Sequence, residues 1–305
     1  MRPVFRDENL EKQFQKEGYI HVPFLSTEEV PYLWDKFFEV LKTSGGHVSP
    51  RDAGLDMDYT ITYDFTFIDR NSNHKREVLK IIDAVFRPHY EKLLTDYKPI
   101  IANYIRKKEQ TGEVPMHQNW AFANEKKCST VSIWVPLVDS HRGNGALEVV
   151  PKSHKRFGEL RGPMIPWELE NIKDEIVKND LVTCGIKAGD AIILDDSIVH
   201  YSFPNTTKDL RIAIQLILIP NEEPAIHYHM NQQESMTSVN VLEVSHDFFM
   251  EFNPWKQPTG TKKTGERSYK QKDLTYPEFK KRVGGLRFDE KPTFIQKLKS
   301  VFFNE

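Results

Sequence analysis

Cysteine is scarce in this chain of 305 residues: only Cys128 and Cys184 occur, and they form no CxxC pair. A disulfide framework is therefore not expected, and an intracellular, cytoplasmic setting is the default reading. Both thiols read as small core hydrophobes rather than nucleophiles. No apolar run approaches the roughly 20 residues that a membrane-crossing helix needs. Residues 1–10 lack the apolar core of a signal peptide. Neither sign of charge dominates, with 42 Lys and Arg against 44 Asp and Glu. Neither nucleic acid nor an anionic membrane is thus expected as a partner. Internal repeats and low-complexity segments are also missing. What remains is an ordinary globular composition, long enough for one large domain or two small ones.

The first third reads as helical support. Residues 8–18 carry Leu10 and Phe14 at helical spacing with Gly18 as a stop, and 19–24 follow as a strand. Ser26 and Glu29 have the spacing of a capping box. The helix they open is expected to run to about Lys42 and stop at Gly45-Gly46, with Leu33, Phe37 and Val40 in its buried stripe. A second helix is expected over 75–97, interrupted or kinked at Pro88. From residue 99 the pattern changes to short strands at 100–106, 116–122, 129–137, 146–150, 181–186, 190–194 and 210–219. Turn signals such as Gly143-Asn144-Gly145 separate them. Many short strands without intervening helices predict an antiparallel sandwich or barrel of the jelly-roll type. Residues 155–179 break the run with helix-like, charged sequence. Residues 255–274 read as an exposed loop, and 276–302 as a returning helix.

Residues two apart on an extended strand face the same way, so His117 and Asn119 are expected to project together. His200, at the exit of the buried stretch Ala191–Val199, could complete a facial set around one metal ion. Two histidines and an oxygen ligand with an open opposite face is the arrangement of non-haem Fe(II) oxygenases. Along 210–219, Arg211 and Gln215 share one face of an otherwise apolar strand. A buried guanidinium is costly unless an anion meets it, and its planar fork suits a carboxylate. An internal anionic ligand near His200 is the economical explanation.

Several segments together resemble the phytanoyl-CoA dioxygenase family of Fe(II)- and 2-oxoglutarate-dependent oxygenases. They are Phe14–Pro23, the His117-Gln118-Asn119 element, Asn144–Lys155, and His200-Tyr201-Ser202 followed by Asn205 and Arg211. The resemblance implies one domain over 1–305 with a double-stranded β-helix, or jelly-roll, core at 99–222. Residues 1–98 would be its helical support and 223–305 a C-terminal extension. It implies that His117 and His200 bind iron and that position 119 supplies the third ligand. It also implies that Arg211, helped by Ser202, holds the distal carboxylate of 2-oxoglutarate, with Trp134 and Asn103 at further cosubstrate positions. The implied reaction consumes O2, converts 2-oxoglutarate to succinate and CO2, and hydroxylates a small organic molecule.

Asn119 stands where the family pattern has Asp. A neutral amide leaves Fe(II) with one more unit of uncompensated charge. Three readings remain open: a working oxygenase with a weaker or two-histidine site, an impaired variant, or a protein that binds without turnover. The retained Arg211 and Ser202 favour activity. Halogenation ranks below hydroxylation, because Asn does not obviously vacate a site for chloride. His154 reads as structural, and the His227/His229 pair as coincidence. Residues 47–74, 155–180 and 224–260 are the places for specificity loops. Substrate identity and oligomeric state leave no mark in the sequence.

Overall fold

The computed structural model describes residues 2–44, 63–254 and 256–290. In chain order the elements are α1 (Glu8–Glu17), β1 (Tyr19–Pro23), α2 (Glu29–Leu41), β2 (Asp64–Phe65), α3 (Ser72–Leu93) and β3 (Tyr97–Lys107). Then follow β4 (Val114–His117), β5 (Val131–Pro136), β6 (Glu148–Val149), α4 (Lys173–Asn179), β7 (Val182–Thr183), β8 (Asp190–Asp195) and β9 (His200–Ser202). The chain closes with β10 (Arg211–Pro220), β11 (Ile226–His229), β12 (Ser238–Glu243), α5 (Phe248–Glu251), β13 (Lys262–Ser268) and α6 (Tyr276–Val283).

Strand order in the major sheet is β1-β8-β5-β10-β3-β2, and in the minor sheet β4-β9-β6-β7. Every pairing in both is antiparallel. This is the jelly roll that the strand pattern predicts. The whole of β10 is buried, which explains its nearly unbroken apolar sequence: both faces are covered. Its Ile212, Ile214, Leu216 and Leu218 join the main core with Leu33 and Phe37 of α2 and Val78, Ile82 and Phe86 of α3. Each such side chain contributes about 1.5–3 kcal/mol by leaving water. The alternate residues Arg211, Gln215 and Ile217 face cavities inside the roll.

Local signals explain the helix starts. Ser26 and Glu29 exchange hydrogen bonds reciprocally, 2.7 Å from Ser26 N to Glu29 Oε2 and 3.3 Å from Glu29 N to Ser26 Oγ. Asn71 caps α3 through Asn73 N and His74 N, so the helix begins at Ser72 rather than 75. It also runs on through Pro88 to Leu93; the proline does not interrupt it, because core packing of Ile82, Phe86 and Tyr90 outweighs one lost backbone bond.

Four expectations need correction. The strand drawn over 116–122 ends at His117. The loop drawn over 255–274 contains β13, whose residues pair with β12; strand formation there rests on backbone pairing with the solvent side left polar, so it carries no apolar alternation. After Pro224 the chain forms β11 and β12, a separate three-stranded sheet with β13. The returning helix stops at Val283 before Gly284-Gly285. Residues 291–302 of that expectation, the Gly45-Gly46 stop and residues 47–62 of the first expected loop lie outside the described residues.

The turn at Pro151–Lys155 docks the roll onto the first helix. Lys152 N donates to Glu17 O at 2.8 Å, and buried His154 reaches Gln15 O at 3.2 Å. Gly18 ends α1 at φ +85°, and a Cβ there would sit 2.4 Å from His154 Nδ1. Gly18→Ala is therefore expected to cost about 2–3 kcal/mol, combining left-handed strain with overpacking. Gly260→Ala, at φ +66° with open space around it, should cost only about 1 kcal/mol. Urea midpoints of the two variants check this, and equal midpoints would contradict it.

Candidate metal and cosubstrate site

The site begins with two antiparallel strands of the minor sheet. His117 of β4 and His200 of β9 are Cα partners in register, and their ring centroids lie 4.1 Å apart. Each ring is oriented from behind by its own chain: His117 Nδ1 sits 2.7 Å from Pro115 O and His200 Nδ1 2.9 Å from Ile198 O. A carbonyl can only accept, so Nδ1 carries the proton and the Nε2 lone pair is free in both rings. Burial holds both imidazoles below their ordinary pKa; for His200 the neighbouring His117 adds to that, and for His117 the Pro115 carbonyl and Asn119 oppose it. Neutral imidazoles are the form that binds metal.

Asn119 lies two residues beyond the end of β4, so strand alternation does not place it. Contacts to the loop do. Gln118 donates to Phe157 O at 3.0 Å and Ser197 O at 2.6 Å, and accepts from Trp167 Nε1 at 3.0 Å. Arg161, clamped bidentately by Glu125 at 2.6 and 2.8 Å, donates from Nε to Asn119 O at 2.7 Å. The Asn119 side chain reaches the same cavity as both histidines. Two imidazole nitrogens and one amide oxygen could thus hold a divalent ion. Among the described residues no group of three or more His, Cys, Asp and Glu is placed to do so, which follows from the third donor being an amide.

The major sheet supplies the other wall. Gln215 of β10 is the register partner of Asn103 on β3 and of Trp134 on β5. The three form one cross-strand row on the inner face. Arg211 lies two pleat periods away along the same strand, with Ala213 between, opposite Lys107. A cavity of about 100 Å³ is lined by His117, Asn119, His200, Trp134, Ser202 and Arg211, among others. Arg211 is buried, with its guanidinium 5.8 Å from the Trp134 ring centre. It donates to Asn144 O, Gly145 O and, at 3.3 Å, Ser202 Oγ. Among the described residues its Nη1 has no partner and no acid offsets the burial that pulls the group down to about 9. An unneutralised, partly unsatisfied guanidinium fits the distal carboxylate of a dicarboxylate ligand.

Asn103 takes a different part from that of a free ligand-binding amide. Its Oδ1 accepts from Phe67 N at 2.9 Å, and its Nδ2 donates to Gln215 Oε1 at 3.0 Å. It lines the wider neighbouring cavity rather than the Arg211 end. Sequence reasoning missed Lys107, Ser132 and Asp196. Lys107 Nζ donates to Ser202 Oγ, Ser202 O and Phe203 O; burial, with the Arg211 charge, pulls it down to about 5. The signal for Lys107 and Ser132 was present: each is polar on the inward phase of an apolar strand, in step with Asn103 and Trp134. Burial pushes Asp196 up to about 7, against the opposing hydrogen bonds of Ser132 and Asn119. The His227/His229 pair lies elsewhere, in β11, where His227 packs among Trp120, Phe248 and Phe252.

The roll, with two register-paired histidines on its minor sheet, defines the double-stranded β-helix class. A crystal structure described as the non-heme alpha ketoglutarate dependent carbocyclase SnoK from nogalamycin biosynthesis shares this fold. Its TM-score is 0.53 at 19% identity, covering 74% of this chain and 89% of that one. A family model described as Phytanoyl-CoA dioxygenase (PhyH) matches residues 14–213. The chain belongs to the phytanoyl-CoA dioxygenase family. Among its relatives, a Dictyostelium discoideum phytanoyl-CoA dioxygenase domain-containing protein 1 homolog is 34% identical over 149 residues, 46% of this chain and 52% of that protein. Phytanoyl-CoA dioxygenase 1 of Oryza sativa subsp. japonica is 30% identical over 115 residues, 36% of this chain and 40% of that protein. The chain thus spans about half or less of the length of these relatives.

The buried Lys107 amine beside Arg211 predicts proton linkage. Near pH 7.5 the Lys107 amine, held down to about 5, is mostly neutral in the free protein. A dicarboxylate arriving beside it favours the charged form, so binding should take up a proton. Calorimetry of 2-oxoglutarate binding in buffers of different ionisation enthalpy reads this uptake, which Lys107→Met should abolish. Proton release, or none exchanged, would contradict it.

Proposed function

We propose that this chain is an Fe(II)- and 2-oxoglutarate-dependent oxygenase that hydroxylates a small organic molecule. His117, His200 and Asn119 would hold the metal, and Arg211, with Ser202 and Trp134, the cosubstrate's distal carboxylate. The observation that carries the reading is Arg211: a buried guanidinium, met by no acid among the described residues, in the same small cavity as His117 and His200. Leaving such a charge unmatched costs several kcal/mol, roughly, so a ligand anion is its natural counterpart.

Iron and 2-oxoglutarate, when bound, supply the oxidising power toward O2 and a C–H bond. The protein's part is placement and exclusion of water. Its two imidazoles are pre-oriented by Pro115 and Ile198, so no rotamer search precedes metal capture. Arg211 fixes which end of the cosubstrate faces the metal. Next to this centre lies a cavity of about 470 Å³, walled by Phe65, Phe67, Trp120, Phe122 and Ile217. Few of its groups can hydrogen-bond, which favours a substrate that presents an apolar portion to the metal. A larger cleft of about 640 Å³ reaches His117 from another side. Some of its charges are paired, Arg282 with Glu168 at 2.9 Å and Arg161 with Glu125 at 2.6 Å.

Anaerobically purified, iron-loaded protein given 2-oxoglutarate and O2 should form succinate. His200→Ala should abolish formation, and Arg211→Met should raise the KM for 2-oxoglutarate about 100-fold, the loss expected when a buried charge partner is removed. Succinate made by Asn119→Asp but not by the natural chain would instead indicate a silent binding protein. An unchanged KM in Arg211→Met would refute the cosubstrate assignment.

A further inference from the structure

Asn119 is held in one orientation by a directional chain of hydrogen bonds. Phe67 N donates to Asn103 Oδ1 at 2.9 Å, Asn103 Nδ2 to Gln215 Oε1 at 3.0 Å, and Gln215 Nε2 to Ser132 Oγ at 3.2 Å. Ser132 Oγ then donates to Asp196 Oδ1 at 2.6 Å. Its hydroxyl hydrogen is thereby used, so toward Asn119 the Ser132 oxygen can only accept. Asn119 meets two acceptors on one side: Ser132 Oγ at 3.1 Å and Asp196 Oδ1 at 2.8 Å. Only its NH2 group can face them. The amide oxygen is therefore turned the other way, toward His117 and the shared cavity. Asp196 is fully buried directly behind the amide.

We infer that Asp196, assisted by Ser132, is the positioning residue of the metal centre, supplying from behind Asn119 the carboxylate that the ligand set itself lacks. This rests on the metal reading given above. A neutral amide donates more weakly than a carboxylate, but a carboxylate accepting from its NH2 group polarises it and increases the negative charge on its oxygen. Outer carboxylates behind metal-binding histidines act in the same way. Asn119 and Asp196 form a matched pair. Restoring a carboxylate at 119 alone would set two acid groups face to face at the 2.8 Å contact, where neither has a proton to share unless one is taken up.

Cobalt(II) serves as the probe, its affinity measured by calorimetry and its ligand field by visible d–d absorption. Four proteins are compared: natural chain, Asp196→Asn, Asn119→Asp, and the swap Asn119→Asp/Asp196→Asn. Asp196→Asn should bind Co(II) at least fivefold more weakly with an altered d–d spectrum. Asn119→Asp should bind no tighter than the natural chain, and the swap at least tenfold tighter than Asn119→Asp. Should Asp196→Asn fail to fold, judged by its thermal melt, the comparison of the swap with Asn119→Asp decides alone. Affinity of Asp196→Asn within twofold of the natural chain, or Asn119→Asp matching the swap, overturns the inference and leaves the metal centre standing. Failure of the natural chain itself to bind Co(II) overturns the metal centre, and this inference with it.

Discussion

The Arg211 guanidinium is a positive charge in the interior of a rolled sheet, and among the described residues no acid answers it. It cannot be excused as a surface group, since it is among the largest fully buried side chains. Gly145 O, Asn144 O and Ser202 Oγ satisfy part of its fork, and the Trp134 face lies near it. These neutral partners solvate the cation without cancelling it. Lys107 beside it is held mostly neutral by burial and by the Arg211 charge, and it brings no negative charge to the neighbourhood. A site so built suits an anion, and the two histidines line the same cavity.

Antiparallel pairing makes this economical to build. Because β10 lies between β5 and β3, one inward phase brings Gln215, Asn103 and Trp134 into a row, while the opposite phase packs the core. Polar side chains on a doubly buried strand are tolerable only when they satisfy one another or a ligand. The row does the former as far as Asp196, and Arg211 awaits the latter. The minor sheet needs only two short strands to contribute both histidines, and the third donor comes from a loop fastened by Gln118 and Arg161.

Much of this was legible in the residues. The jelly roll followed from short strands and turn signals, and β10 was readable to within a residue at each end. The pairing of Arg211 with Gln215 on one face followed from period two alone. His200 was expected at the exit of the buried stretch Ala191–Val199, but that strand stops at Asp195 and His200 opens β9 after a turn. Other parts were not, for physical reasons. Asn119 was assigned by strand alternation, but the strand stops at His117 and tertiary hydrogen bonds take over, which no local pattern records. Asp196 carries no local signal within the stretch before His200; its closeness to Asn119 depends on a contact 77 residues apart in sequence. Strand β13 was hidden because an exposed strand with polar residues on nearly every position has no apolar period. Pro88 misled because propensity yields to a buried helix face.

The central claim is that two imidazoles and an amide oxygen grip one metal ion beside Arg211. Anomalous diffraction at the iron edge, from crystals grown anaerobically with Fe(II) and 2-oxoglutarate, tests it most directly. The account predicts a single peak bounded by His117 Nε2, His200 Nε2 and Asn119 Oδ1, with the cosubstrate's far carboxylate on Arg211. A peak at His227 and His229, or iron bound with the Asn119 oxygen turned toward Asp196, would contradict it.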